Sequence, residues 1–202
     1  MHQVASWCLS YPDAELTARL PLLRDALAER PRGPAVEALE PVVAHLLAGG
    51  PGTREREYVE TFDLSRRHAL HLSYWTDGDT RRRGEVLAGF VERYRRHGFR
   101  VDAGRELPDF LPLVLEYAAL ADPVDGAALL QEYRPSLELL RLALTDDASP
   151  YAGAVTAVCA TLPGVSPPDR AAVHAMAAAG PPAETVGLDP YDPRLLPLEE
   201  SR

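Results

Sequence analysis

Apolar positions recur at three- and four-residue steps along most of this 202-residue chain, the spacing of one face of an α-helix. Val4 to Leu9 is a short apolar helix stopped by Tyr11-Pro12. Asp13 can cap a second helix, in which Leu16, Leu20, Leu23 and Leu27 form one stripe. After Pro31 and Pro34, the positions Val36, Leu39, Val43, Leu46 and Leu47 repeat the pattern until Gly49-Gly50-Pro51-Gly52 ends it. Thr53 is the expected N-cap of a fourth helix carrying Tyr58, with Phe62 one turn beyond. From Asp63 to Asp79 no helical period is sustained, so this stretch reads as an irregular connector with a turn at Asp77-Gly78-Asp79. Asp79 or Thr80 then caps a fifth helix, whose inner face is Val86, Leu87, Phe90, Val91 and Tyr94 and whose end is His97-Gly98.

Pro108 suits the first turn of a sixth helix, in which Phe110, Leu111, Val114, Leu115 and Ala118 share a face. Leu130, Tyr133, Leu137, Leu140 and Leu144 continue the pattern in a seventh. Tyr151 to Leu162 and Pro168 to Ala178 add shorter segments. No strand-like alternation and no fixed-period repeat occurs. The expectation is an all-α, single-domain bundle of about seven to nine helices over residues 1–180. A Pro-rich, acidic and mobile tail is expected over 181–202.

Charge narrows the choice of partners. The net charge of -9 argues against a general nucleic-acid binder. The distribution is uneven: Arg54 to Arg105 holds twelve Arg against nine acids, whereas Glu106 to Ser149 holds two Arg against nine acids. A basic partner would be drawn to the second region. Every one of the 21 basic residues is Arg, which offers planar, two-pronged pairing that Lys lacks. Cys8 and Cys159 stand far apart without a CxxC partner and read as small buried hydrophobes. No signal peptide is visible and no apolar run approaches 18 residues, so a soluble, cytoplasmic protein without membrane insertion is expected.

Catalytic spacings are missing. His68 and His71 sit in a connector without a HExxH frame, and the DGD turn is followed by Arg81 and Arg82 where a calcium loop needs a ligand and a glycine. No phosphate-binding glycine loop or nucleophile elbow occurs, so no catalytic residue, metal site or stably bound cofactor is expected. Two segments stand out instead. Arg81, Arg82 and Arg83 place three cations at a helix N-terminus, against its dipole. They call for compensation by carboxylates such as Asp63, Asp77 or Glu85, by an acidic partner, or by phosphates. Glu106 to Tyr117, ELPDFLPLVLEY, joins a stiff Pro-bounded start to large apolar side chains; it is either core or one wall of a groove for an apolar helix.

Several strings occur in the order found in one family: Tyr58-Val59-Glu60-Thr61-Phe62-Asp63, Leu70-His71-Leu72-Ser73-Tyr74, Gly78-Asp79 with Arg81, Arg83 and Gly84, and Glu106-Leu107-Pro108-Asp109 with Leu111, Pro112, Leu115 and Glu116. With LSYPD at Leu9 to Asp13, they make the chain resemble the nitrate reductase molybdenum cofactor assembly chaperones, the NarJ or delta-subunit family. That family belongs to the wider TorD and DmsD group of redox-enzyme maturation chaperones. The resemblance implies a TorD-like helical fold and no catalysis. It also implies a client, the apo catalytic alpha subunit NarG or its alpha-beta complex. The chaperone would bind that subunit's N-terminal leader as an unfolded segment and hold it until the molybdenum cofactor, bis-molybdopterin guanine dinucleotide, is inserted. It would serve nitrate assimilation and would not stay in the mature enzyme.

On this reading Tyr58, Phe62, Tyr74, Leu107, Phe110, Leu111 and Leu115 supply apolar surface to the leader, while Asp109 and Glu116 meet its cations. Arg81, Arg82 and Arg83 brace the connector or meet an anionic part of the client. Two other readings stay open: a maturation chaperone for a dimethyl sulfoxide or selenate reductase, and a phosphate-ligand-binding helical protein.

Overall fold

The computed structural model describes residues 1–78, 81–101 and 106–179, and its regular elements are helical. The expected caps at Asp79 or Thr80 and the expected tail at 181–202 lie outside the described residues. In chain order the α-helices are α1 (His2–Cys8), α2 (Ala14–Ala28), α3 (Pro34–Ala48), α4 (Thr53–Tyr58), α5 (Tyr74–Asp77), α6 (Arg81–Arg96), α7 (Leu111–Leu120), α8 (Pro123–Glu132), α9 (Arg134–Asp146), α10 (Ala152–Ala160) and α11 (Arg170–Ala179). Eleven segments among the described residues exceed the seven to nine expected, for two reasons. The connector contains the four-residue α5. The expected seventh helix is two helices, parted at Tyr133 because Pro135 has no N–H to continue the ladder.

The periodic positions do form the core. Leu16, Leu20, Leu23 and Leu27 of α2 are all buried, and Asp13 accepts a hydrogen bond from the Leu16 N–H at 2.8 Å, capping the helix as expected. α3 packs against α2 and α10, α1 against α7, and α9 against α10 and α11. Two glycines permit the closest approaches. At Gly126 in α8 an added Cβ would run into the Ala118 backbone of α7, and at Gly153 in α10 it would strike the Ala38 carbonyl of α3. Cys8 and Cys159 are buried free thiols, and burial pushes Cys8 up to about 12.

α6 is attached differently, because only its Phe90 and Tyr94 are buried. Polar bonds supplement those rings. The Arg93 guanidinium forks onto Asp125 of α8 at 2.7 and 3.0 Å and reaches Glu132 at 2.9 Å. Tyr117 of α7 donates to the same Asp125 carboxylate at 2.5 Å.

The connector is irregular but fixed. A π-helical turn, Val59–Asp63, follows α4, and the Leu64 N–H donates to the Val59 carbonyl at 3.0 Å. Such turns are rare and frequently mark functional sites. Farther on, the Leu72 N–H donates to the Asp109 carbonyl at 3.0 Å and the Leu111 N–H to the Leu70 carbonyl at 2.7 Å, a local antiparallel bridge between His71 and Phe110. This pairing holds Phe110 extended, so α7 starts at Leu111, and Pro108 precedes the helix instead of opening it.

One carboxylate locks this junction. Asp109 is fully buried and accepts from the Ser73 hydroxyl at 2.5 Å, the Ser73 N–H at 3.1 Å, the His71 ring at 3.2 Å and Arg83 of α6 at 3.5 Å. Burial pushes its acid strength the unfavourable way. The bonds from His71 and Ser73 and the charges of His71 and Arg83 outweigh burial, leaving the carboxyl below its ordinary range.

Gly153→Ala should destabilise the fold by about 2 kcal/mol in urea unfolding, because backbone is the obstructing atom. Gly89→Ala on α6, where a Cβ meets nothing within 4 Å, should stabilise it by about 0.5 to 1 kcal/mol. Asp109→Asn should cost about 3 kcal/mol at neutral pH. Because the folded pKa lies below the unfolded value of about 3.9, the ionised carboxylate's contribution is present above that value and lost as pH falls through the folded pKa. The gap in unfolding free energy between the wild type and Asp109→Asn should therefore shrink below about pH 4; a gap constant to acid pH would refute the assignment.

Candidate functional site

The junction of the α1–α2 corner, the connector and the start of α7 surrounds an open groove with two lobes. The larger lobe, about 920 Å³, is walled by Trp7, Ser10, Tyr11 and Asp13 from the first corner, by Asp63 and His71 from the connector, and by Glu106, Phe110, Leu113 and Glu116 from the α7 side. The smaller lobe, about 360 Å³, has Tyr58, Phe62, Leu70 and Phe110 as apolar lining, with Arg66, Tyr74 and Arg83 beside them. The two share Tyr58, Asp63, His71 and Phe110. Both volumes fall in the range of ordinary ligand pockets.

The floor is an aromatic cluster built by α4 and its π turn. The Tyr58 and Phe62 rings lie 4.9 Å apart, Tyr11 meets Tyr58 edge-on at 5.5 Å, and Phe62 meets Tyr151 at 4.9 Å. The Tyr58 hydroxyl donates to the Leu9 carbonyl at 3.1 Å. Burial first, then the nearby carboxylates Asp63 and Glu106, raise its pKa, so the phenol stays neutral.

The nine residues expected to bind a peptide divide into three sets. Tyr58, Phe110 and Glu116 line the larger lobe, and Tyr58, Phe62, Tyr74 and Phe110 line the smaller. Leu107 is 42% exposed but lines neither lobe. Asp109, Leu111 and Leu115 have no exposed surface and sit behind the wall, Asp109 engaged by its own chain's His71, Ser73 and Arg83. Arg83 also lies over the Tyr74 ring at 6.0 Å. Arg82 is largely exposed and pairs with Asp77 at 3.4 Å, and Arg81 is exposed.

The periodicity argument missed the contribution of the first corner, Trp7 to Asp13, although LSYPD is itself an unusual string. The two connector histidines diverge. His68 is buried, its Nδ1 2.9 Å from the Thr61 carbonyl oxygen and its Nε2 3.0 Å from Asp147, whereas His71 serves Asp109. His68 is thus part of the packed interior, and His71 is partly exposed.

Electrostatics separates structural acids from available ones. Of the nine acids between Glu106 and Asp147, seven are engaged internally: Asp109 as described, Asp122 with His97, Asp125 and Glu132 with Arg93, Glu138 with Arg134 and Arg141, Asp146 with Arg170, and Asp147 with Arg67 and His68. The remaining two, Glu106 and Glu116, have no ion pair among the described residues, and both line the larger lobe. Asp63, at the meeting of the lobes, is likewise unpaired among the described residues.

Comparison with known proteins places the chain in a family. A family model described as nitrate reductase delta subunit matches residues 13–157. The nitrate reductase-like protein NarX of Mycobacterium tuberculosis is 44% identical over 159 residues, which are 79% of this chain and 24% of NarX. The probable nitrate reductase molybdenum cofactor assembly chaperone NarJ of Bacillus subtilis is 30% identical over 160 residues, 79% of this chain and 86% of that one. The nitrate reductase molybdenum cofactor assembly chaperone NarJ of Escherichia coli is 32% identical over 151 residues, 74% and 64% of the two chains. The chain thus spans about a quarter of the length of NarX. With most of its length matched, the chain belongs to the nitrate reductase delta subunit family, the family of the NarJ assembly chaperones, which is not a family of enzymes.

Proposed function

We propose that this protein is an assembly chaperone that binds the N-terminal leader of an apo nitrate reductase catalytic subunit in the two-lobed groove. It holds that subunit, in the cytoplasm, until the molybdenum cofactor has been inserted, and then leaves. The cofactor is cargo for the client and not a resident of this chain. The names of the Bacillus and Escherichia relatives support the client class, and the nitrate reductase-like relative favours a nitrate reductase over other molybdoenzymes.

The observation that carries the reading is the coincidence of unpaired acids with an aromatic floor. Glu106, Glu116 and Asp63 face the groove whose base includes Tyr58 and Phe110. A leader helix with an apolar and a basic face matches that surface: apolar contact supplies affinity, and the acids select and steer cations. Leu111, Leu115 and Asp109 support the wall from behind. Arg81 and the exposed Arg82 lie outside the groove lining and are offered to an anionic part of the client.

Calorimetric titration with a synthetic leader peptide tests this reading. The wild-type chain should bind it, and Glu116→Ala and Asp63→Ala should each weaken binding by about fivefold at low salt, with the loss shrinking as salt rises. Phe110→Ala should weaken it more than either charge change. Absence of wild-type binding would overturn the reading.

A further inference from the structure

We propose that the smaller lobe selects one large apolar side chain of the bound segment together with an acidic residue beside it, while the larger lobe takes the segment's basic residues. The inference rests on the peptide-binding reading above and adds a charge order to it.

The two lobes adjoin, since Tyr58, Asp63, His71 and Phe110 line both. Their ends differ in charge. The larger lobe carries the carboxylates Glu106 and Glu116, unpaired among the described residues, beside one cation, Arg100, that is likewise unpaired there, and its Glu15 is already paired with Arg19 at 2.5 Å. The smaller lobe has no acid besides Asp63, which stands at its mouth, and it has two arginines. Of these, Arg83 is turned onto Asp109 and Ser73. Arg66 is exposed and has no ion pair among the described residues.

Local structure explains why Arg66 alone is left. Arg66, Arg67 and His68 form a single 3₁₀ turn, in which consecutive side chains point about 120° apart. Arg67 and His68 turn to Asp147, at 3.3 and 3.0 Å, leaving Arg66 to the groove.

Inside the smaller lobe, the Phe62 and Leu70 side chains are almost wholly buried and present only apolar surface. A bound aromatic or leucine side chain would exclude water there, which strengthens any charge contact at the rim. A segment basic along its whole length would set a cation against Arg66, whereas bases on one side of the apolar anchor and an acid on the other satisfy both ends. Repulsion at Arg66 would thus discriminate among basic segments that the larger lobe alone would accept.

Two synthetic helical peptides test the inference by calorimetry with the full chain. Each has two Arg one turn before a Phe; the first has Asp one turn after it, and the second has Lys there instead. The wild type should bind the first at least about fivefold more tightly. Arg66→Glu, a surface change whose folding is checked by its unfolding midpoint, should reverse that order. Glu116→Lys should weaken both peptides and keep the order. Equal affinity of the two peptides for the wild type, or an order unchanged in Arg66→Glu, overturns the charge order while leaving peptide binding intact. Failure of the wild type to bind either peptide overturns the peptide-binding reading and this inference with it.

Discussion

The buried Asp109 carboxylate is the constraint on which the rest of the site depends. A carboxylate without accessible surface is tolerated only if its oxygens are satisfied, and here the partners of a residue placed just before α7 come from two separate places: Ser73 and His71 in the connector and Arg83 near the start of α6. Meeting that requirement draws the connector onto α7 and forces the local bridge between His71 and Phe110. The bridge sets where α7 begins. It also sets His71 and Phe110 side by side, with ring centres 5.5 Å apart, where the two lobes of the groove meet. The shape of the groove is therefore a consequence of satisfying one charge.

The same requirement explains which features were legible in the sequence. Helix positions and buried faces depend on local spacing, so the stripe of α2, its Asp13 cap and the terminating Gly98, at φ 70, were all readable. Leu111 and Leu115 were readable as an apolar face but not as core rather than groove, because that depends on what packs against each side. The start of α7 was misplaced because Pro108 is locally suited to a helix, while the bonds that keep the chain extended there come from residues 70 to 72. Asp109 was recognisable as unusual within its Pro-bounded segment. Its direction, inward, was set by partners 36 and 38 residues away, and no local rule reports such a separation.

Charge counts behave in the same way. The strongly acidic stretch from Glu106 onward reads as a surface for a basic partner, yet most of that charge anchors the molecule to itself. Arg93 ties α6 to α8, and Glu138 on α9 gathers Arg134 and Arg141, whose other N–H groups bond the Gly164 and Pro167 carbonyls and hold the loop before α11. A buried acid with two arginines fixes geometry without offering attraction to an outside partner. What remains is a small residue of unpaired charge, and its position carries more information than its sum.

That residue of charge is gathered on one surface. Glu106, Glu116 and Asp63 line one concave surface without an ion pair among the described residues, although Arg19 and Arg100 line it as well. Nothing about helix packing requires acids at these positions, since the neighbouring wall is apolar, with Leu113 and Phe110. On the proposed reading, cations of a bound segment would supply the counter-charges that these acids lack within the fold. The aromatic floor alone would accept any apolar segment. On the proposed reading the acids make that acceptance conditional on charge, and the stiff junction around Asp109 holds the surface in place beforehand, so that little ordering would have to be done on binding.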